Sequence, residues 1–124
     1  MTRRSLRRLA IVPALAAVLA AAGCGSAGTG GIASGPSDVT AGKKLFIQNC
    51  GSCHTLKDAG TQGKVGPNLD DSFSADHQQG FADSTIENVV LDQIRIAEPP
   101  MPANLVTGQD AQNVAAYVAS VAGK

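Results

Sequence analysis

Five consecutive residues, Cys50-Gly51-Ser52-Cys53-His54, put two thiols and an imidazole within about one turn of chain. This C-x-x-C-H spacing reads as covalent haem attachment. Two thiols so spaced reach the two vinyl groups along one haem edge. The next residue then falls under the iron, where a ring nitrogen of His54 can bind it. Thioether links hold the haem even when an iron–ligand bond opens. Three other chemistries use part of the pattern. A thioredoxin-type dithiol shares C-x-x-C but wants a βαβ surround, and no such pattern is visible here. A structural zinc site needs four ligands. Beyond the pair, the sequence offers His54, His77 and Cys24, with no second C-x-x-C. A plain disulfide suits an oxidising compartment but leaves His54 unexplained.

An iron held by His54 on one side invites a search for the opposite ligand. Met1 leaves with the leader described below, so Met101 is the remaining methionine. It lies in Glu98-Pro99-Pro100-Met101-Pro102, where prolines fix their own φ and push their neighbours toward extended shapes. A thioether is a soft donor that favours reduced iron, so a Met/His pair raises the reduction potential. It also closes the sixth site to small molecules. The plainer alternative is a methionine that only packs against the haem edge. His77 is the rival ligand; it stands in the polar run Ser74 to Gly80, which reads as a loop with a solvated histidine. The neighbouring pair Asp70-Asp71 likewise reads as solvated charge.

Short helices separated by Gly/Pro loops must position these groups. Val39, Gly42, Leu45, Phe46 and Cys50 recur at helical steps, which predicts a helix over 39–49 capped by Ser37 or Asp38. Ser84-Thr85-Ile86-Glu87 is a capping-box pattern that predicts a helix from Ser84, continued by Val89, Val90 and Ile94. The last helix is expected to begin near Thr107-Gly108-Gln109-Asp110. Its stripe is Ala111, Val114, Ala115, Val118, Val121 and Ala122, with Tyr117 at the edge. No strand-type alternation is long enough to build a sheet.

The chain has 124 residues and a net charge of zero, with ten basic and ten acidic residues. Four of the bases, Arg3, Arg4, Arg7 and Arg8, precede residue 24 and no acid does, leaving six against ten downstream, a net −4. That balance argues against nucleic acid as a partner. The arginines are followed by an apolar run from Leu9 to Ala22, 14 residues long, short of the roughly 20 a spanning helix needs. A basic start, a short apolar run and small residues predict a secretory signal peptide over 1–23. Ala21-Ala22-Gly23-Cys24 resembles a bacterial lipobox, which predicts lipidation of Cys24 and anchorage to a membrane. Residues 24–36 then form the lipid-bearing cysteine and a flexible Gly/Ser linker, and 37–124 the folded domain. Aromatics are few (Phe46, Phe73, Phe81 and Tyr117, no Trp) while Gly numbers 14. So thin a core predicts that something other than side chains fills the middle.

Cys50 to His54, Gly66-Pro67-Asn68-Leu69, the Pro-flanked Met101 and Val114-Ala115-Ala116-Tyr117-Val118 together resemble a class I monohaem cytochrome c. The resemblance spans about Asp38 to Gly123. It implies an all-α cytochrome c fold, wrapped around one covalent haem c, with first and last helices crossing. It implies contact roles for Gly42, Phe46 and Tyr117 at that crossing. It implies that the Pro67 carbonyl accepts a hydrogen bond from the second nitrogen of His54, fixing the ring and raising its basicity. The chain departs from the family in lacking an aromatic shortly after Met101, where Asn104 and Leu105 stand. It also carries few lysines for a charged docking face.

These readings converge on an exported, lipid-tethered electron carrier, not an enzyme, with His54 and Met101 as axial ligands in a respiratory or related chain. Its partners would be redox proteins met transiently, with basic or weakly charged surfaces, and it would be a monomer. Three alternatives compete. One is a haem subunit docked to a dehydrogenase or oxidase. Another is a haem sensor or peroxidase-like protein, should Met101 not bind iron. The third is a haem-free thiol oxidoreductase.

Overall fold

The computed structural model describes residues 35–124; the expected signal peptide, Cys24 and most of the linker lie outside the described residues. The element order is α1 (Val39–Asn49), β1 (Thr55–Leu56), β2 (Thr61–Gln62), α2 (Leu69–Gln78), α3 (Asp83–Ile96) and α4 (Gly108–Val121). The architecture is all-α, as expected. Its sheet is a two-residue antiparallel pairing of Thr55 with Gln62 and Leu56 with Thr61, which closes the loop after His54.

Helix α1 starts where Asp38 accepts hydrogen bonds from the amides of Thr40 and Ala41 at 2.8 and 3.0 Å, satisfying two otherwise orphaned donors. The Asp38 amide itself donates to Asn113 Oδ1 on α4 at 2.9 Å, so the same residue ties the helix start to its partner. The two helices then cross at Gly42. A Cβ there would run into the carbonyl of Asn113 and lie 2.8 Å from Tyr117 Cβ. One turn on, Phe46 meets Tyr117 edge-on, with centroids 6.0 Å apart and planes at 61°. The crossing implied by the resemblance is therefore present, at the residues to which it assigned contact roles.

Helix α4 is the central element, packed by α1 and by α3. Being covered on two sides, it buries more than one stripe: Asn113, Tyr117 and Ala119 are buried along with Ala111, Val114, Ala115 and Val118. Tyr117, expected at the edge, is inside. Its hydroxyl donates to Asp58 Oδ1 at 2.7 Å, and Lys43 Nζ reaches the same oxygen at 3.0 Å. This clasp joins α4, α1 and the turn between the two short strands. The Tyr117 hydrogen bond, then that of Lys43, hold the Asp58 carboxyl below its ordinary range. Burial, then the Asp58 bond, push the Tyr117 hydroxyl well above its own. A lowered carboxylate stabilises above its unfolded value and loses that as pH falls; a raised phenol loses its contribution as pH rises through its folded value. Tyr117→Phe is therefore expected to cost about 1 kcal/mol near neutrality. It should also flatten the decline of stability at both extremes, read by denaturant unfolding across pH.

Two expectations need correction. Ser84 does not cap α3. The helix begins one residue earlier, at Asp83, with Ala82 as a boundary residue that makes no side-chain cap bond. Asp83 is engaged instead by Lys124 Nζ at 2.8 Å. Thr107 likewise makes no side-chain cap bond at the start of α4. The run expected as a polar loop is α2. Asn68 Oδ1 caps it by accepting from the Asp70 amide at 3.0 Å, and Asp70 and Asp71 sit favourably in its positive first turn. Gly80, at φ 83°, ends it, with the Gly80 and Phe81 amides donating back to the His77 and Asp76 carbonyls.

Candidate functional site

Helix α1 runs out at Cys50, whose amide donates to the Phe46 carbonyl at 2.8 Å. The chain then turns back on itself, the Cys53 and His54 amides both donating to the Cys50 carbonyl at 3.0 and 2.9 Å. That tight turn puts both thiols and the imidazole on one wall of a cavity of about 470 Å³. The cavity is mostly apolar, walled by Phe46, Leu69, Phe73, Ile94, Val114 and Val118, and Met101 lines it too. The structure thus brings together Cys50, Cys53, His54, Pro67 and Met101. Cys24 lies outside the described residues. His77 is not among the lining residues: it sits on α2, mostly buried, with Nδ1 4.0 Å from Asp83 Oδ1 and Nε2 enclosed without a partner. The solvated histidine expected there is corrected on both counts, because the segment is helical and its last turn faces the start of α3.

The imidazole of His54 is 9% exposed and held from two sides. Its Nδ1 hydrogen-bonds the Pro67 carbonyl at 2.9 Å, which leaves Nε2 as the nitrogen available to a ligand. Gly66 lies flat against the ring, so that a Cβ there would come within 2.7 Å of Nδ1 and 2.8 Å of Nε2. Gly66→Ala is accordingly expected to tilt the ring off Pro67, costing about 1–3 kcal/mol by overpacking. The check is denaturant unfolding alongside the NMR signal of the Nδ1–H.

The Cys50 thiol is not tuned for redox dithiol chemistry. Burial, then the neighbouring Cys53, push the Cys50 thiol from 9.0 up to about 11, whereas a dithiol oxidoreductase needs a lowered value. Among the described residues no group of three or more His, Cys, Asp or Glu side chains is placed to hold a metal ion. What the cavity suits is a large, mostly apolar group that takes nitrogen and sulfur donors. It offers one imidazole nitrogen, one thioether sulfur and two thiols in an apolar enclosure. Val65, Val89 and Leu105 line it while 64%, 52% and 44% exposed, an apolar surface that such a group would cover.

Residues 39–122 match the family model for cytochrome c. The chain belongs to the cytochrome c family. It is a class I monohaem cytochrome c, a family that implies one covalently bound c-type haem, for which Cys50 and Cys53 fit as the attachment pair. This cytochrome is 34% identical over 92 residues to the cbb3-type cytochrome c oxidase subunit CcoP of Rubrivivax gelatinosus, a match covering 74% of this chain and 29% of that protein. It therefore spans less than a third of that relative's length. Among solved structures it is similar to the c-type cytochrome SorU of Sinorhizobium meliloti. The two share 34% identity, with 69% of this chain and 92% of that chain covered and a TM-score of 0.48.

Sequence reasoning did not single out Gly66 as a contact of His54, nor Asp58 as the partner of Tyr117. Gly66 was visible in the Gly-Pro-Asn run. Asp58 gave no signal, because its partner is 59 residues away.

Proposed function

We propose that this cytochrome is a one-electron carrier whose haem is linked through Cys50 and Cys53 and ligated by His54 and Met101. The observation that carries this reading is the shared cavity. His54, with Nδ1 tied to Pro67, and Met101, on its proline-rich loop, line one apolar enclosure. When bound, the haem supplies an iron that alternates between ferrous and ferric and so takes up or gives away one electron at a time. His54 contributes a nitrogen donor whose basicity the Pro67 carbonyl raises. Met101 contributes a soft sulfur that favours the ferrous state and closes the site to other ligands. The apolar walls exclude water, so little solvent must rearrange when the charge changes. No residue has to make or break a substrate bond.

Residues 1–23 act as an export signal, Cys24 bears lipid, and residues 25–36 tether the domain of 37–124 beside a membrane. The partners are redox proteins met transiently. Their docking faces are basic or weakly charged, because the chain from residue 24 carries −4. A second reading draws on the oxidase subunit among the relatives: the domain stays docked to an oxidase or dehydrogenase. Co-purification under mild detergent separates the two.

The test is the visible spectrum of the mature protein, ferric and reduced. A c-type reduced spectrum with the weak red band of a ferric thioether–iron bond is expected. Haem present without that band, and carbon monoxide binding readily to the reduced protein, would overturn the ligation by Met101.

A further inference from the structure

We propose that Asp70 is a positioning residue for His54, acting through the first turn of α2. This rests on the reading of His54 as an iron ligand. Two stretches of chain lie side by side here, residues 54–57 and residues 67–70. The first bond between them is His54 Nδ1 to the Pro67 carbonyl at 2.9 Å. The second is the Lys57 amide to Asp70 Oδ2 at 2.7 Å. Each bond joins residues 13 apart in sequence, so the pair forms two rungs of one short ladder, three residues apart. The outer rung fixes where the inner one can lie. Pro67 can move away from the imidazole only if the α2 start moves relative to β1, and the Asp70 carboxylate ties those two together.

The other carboxylate oxygen reaches a third segment. Gly123, just past the end of α4, donates its amide to Asp70 Oδ1 at 3.2 Å. Gly123 has φ 76°, and a Cβ there would lie 2.6 Å from the Ser74 amide nitrogen, so the chain closes directly onto the backbone of α2. The Asp70 amide is in turn held by Asn68 Oδ1 at 3.0 Å. A carboxylate accepting from two backbone amides makes charge-assisted bonds of defined direction. A general preference for acids at a helix start does not account for this. Asp71 occupies the same first turn, is exposed, and makes no side-chain hydrogen bond among the described residues. Asp70 itself is not among the cavity-lining residues, so its influence on the site passes through Pro67 and the chain after His54.

The experiment compares wild type, Asp70→Ala, Asp70→Asn and Asp71→Asn as haem-loaded ferrous proteins. NMR follows exchange of the His54 Nδ1–H with solvent, and the backbone amides of α1 and α4 in the same samples report global opening. Asp70→Ala is expected to speed exchange of the His54 proton by about tenfold beyond any change in those amides. Asp70→Asn keeps the size and one acceptor; it should fall between Asp70→Ala and wild type, and it carries the test if the alanine variant does not fold. Asp71→Asn removes the same charge from the next position and should leave the His54 proton within about twofold of wild type. The ferrous-to-ferric balance against a mediator should move further toward ferrous in Asp70→Asn than in Asp71→Asn, because a weaker Nδ1 hydrogen bond makes a less basic ligand. If the His54 proton speeds up only in step with the α1 and α4 amides, Asp70 is a general stabiliser and the proposal fails. If Asp70→Asn and Asp71→Asn behave alike, Asp70 is a surface charge and the proposal fails equally. Wild-type His54 ring signals without the shift of an iron-bound imidazole would sink the ligand assignment instead, whatever the variants do.

Discussion

Met101→Leu is expected to abolish the red thioether band, lower the reduction potential by on the order of 0.1 V and open the reduced protein to carbon monoxide. Leucine is the informative replacement because it keeps nearly the same volume and apolar character. Were Met101 only a wall of the cavity, leucine would fill its place and neither spectrum nor potential would move. As a ligand it cannot be replaced by a hydrocarbon, so the effect would be large while stability changes little. Met101→His separates two consequences further. A nitrogen donor would keep the site closed to carbon monoxide but still lower the potential, since it favours ferrous iron less than sulfur does. Spectroelectrochemical titration and carbon monoxide difference spectra on the three proteins decide the matter.

Gly42→Ala is expected to be the most destabilising single-methyl change in the domain, by about 3 kcal/mol or more. The added carbon would enter the backbone carbonyl of Asn113, and its second neighbour is Tyr117 Cβ at 2.8 Å. Neither is the free end of a flexible side chain, so the helices themselves must separate. Separation would pull at the Phe46–Tyr117 contact, the Asp38–Asn113 bond and the Tyr117–Asp58–Lys43 clasp together. Domains of this kind hold only about 5–15 kcal/mol in total, so the loss would be visible in any denaturant titration. Lys44→Ala, on the exposed face of the same helix, should stay within about 0.5 kcal/mol of wild type. A cost for Gly42→Ala below about 1 kcal/mol would mean that α1 and α4 do not approach as closely as described.

The haem pentapeptide was legible because its chemistry is contiguous: Cys50, Cys53 and His54 state it without reference to the fold. Helices α1 and α4 were legible because long contacts leave a periodic stripe, although α4 hid a second buried face behind Asn113 and Tyr117. Helix α2 was missed because it buries Phe73 alone, and one anchor makes no period. Its evidence lay at the ends, in Asn68 as cap and Gly80 as terminator. Missing the helix also misplaced His77 and made Asp70 look like one of a pair of solvated charges. Capping was overread at Ser84, where the pattern was present but the chain entered the helix a residue earlier. The bonds that assemble the site, Asp70 to Lys57 and Gly123 or Tyr117 to Asp58, join residues 13 to 59 positions apart, and no local pattern encodes them.

The capping of α1 by Asp38 has a practical consequence for attaching the molecule to things. The chain enters the domain at one end of an 11-residue helix, and Cys50 leaves it at the other, about 16 Å away at 1.5 Å per residue. A surface, an electrode or a fused protein grafted upstream of Pro36 therefore pulls on the end of α1 remote from the thiols. Wiring the protein through its amino-terminal side leaves the end of α1 that leads into the haem pentapeptide unencumbered.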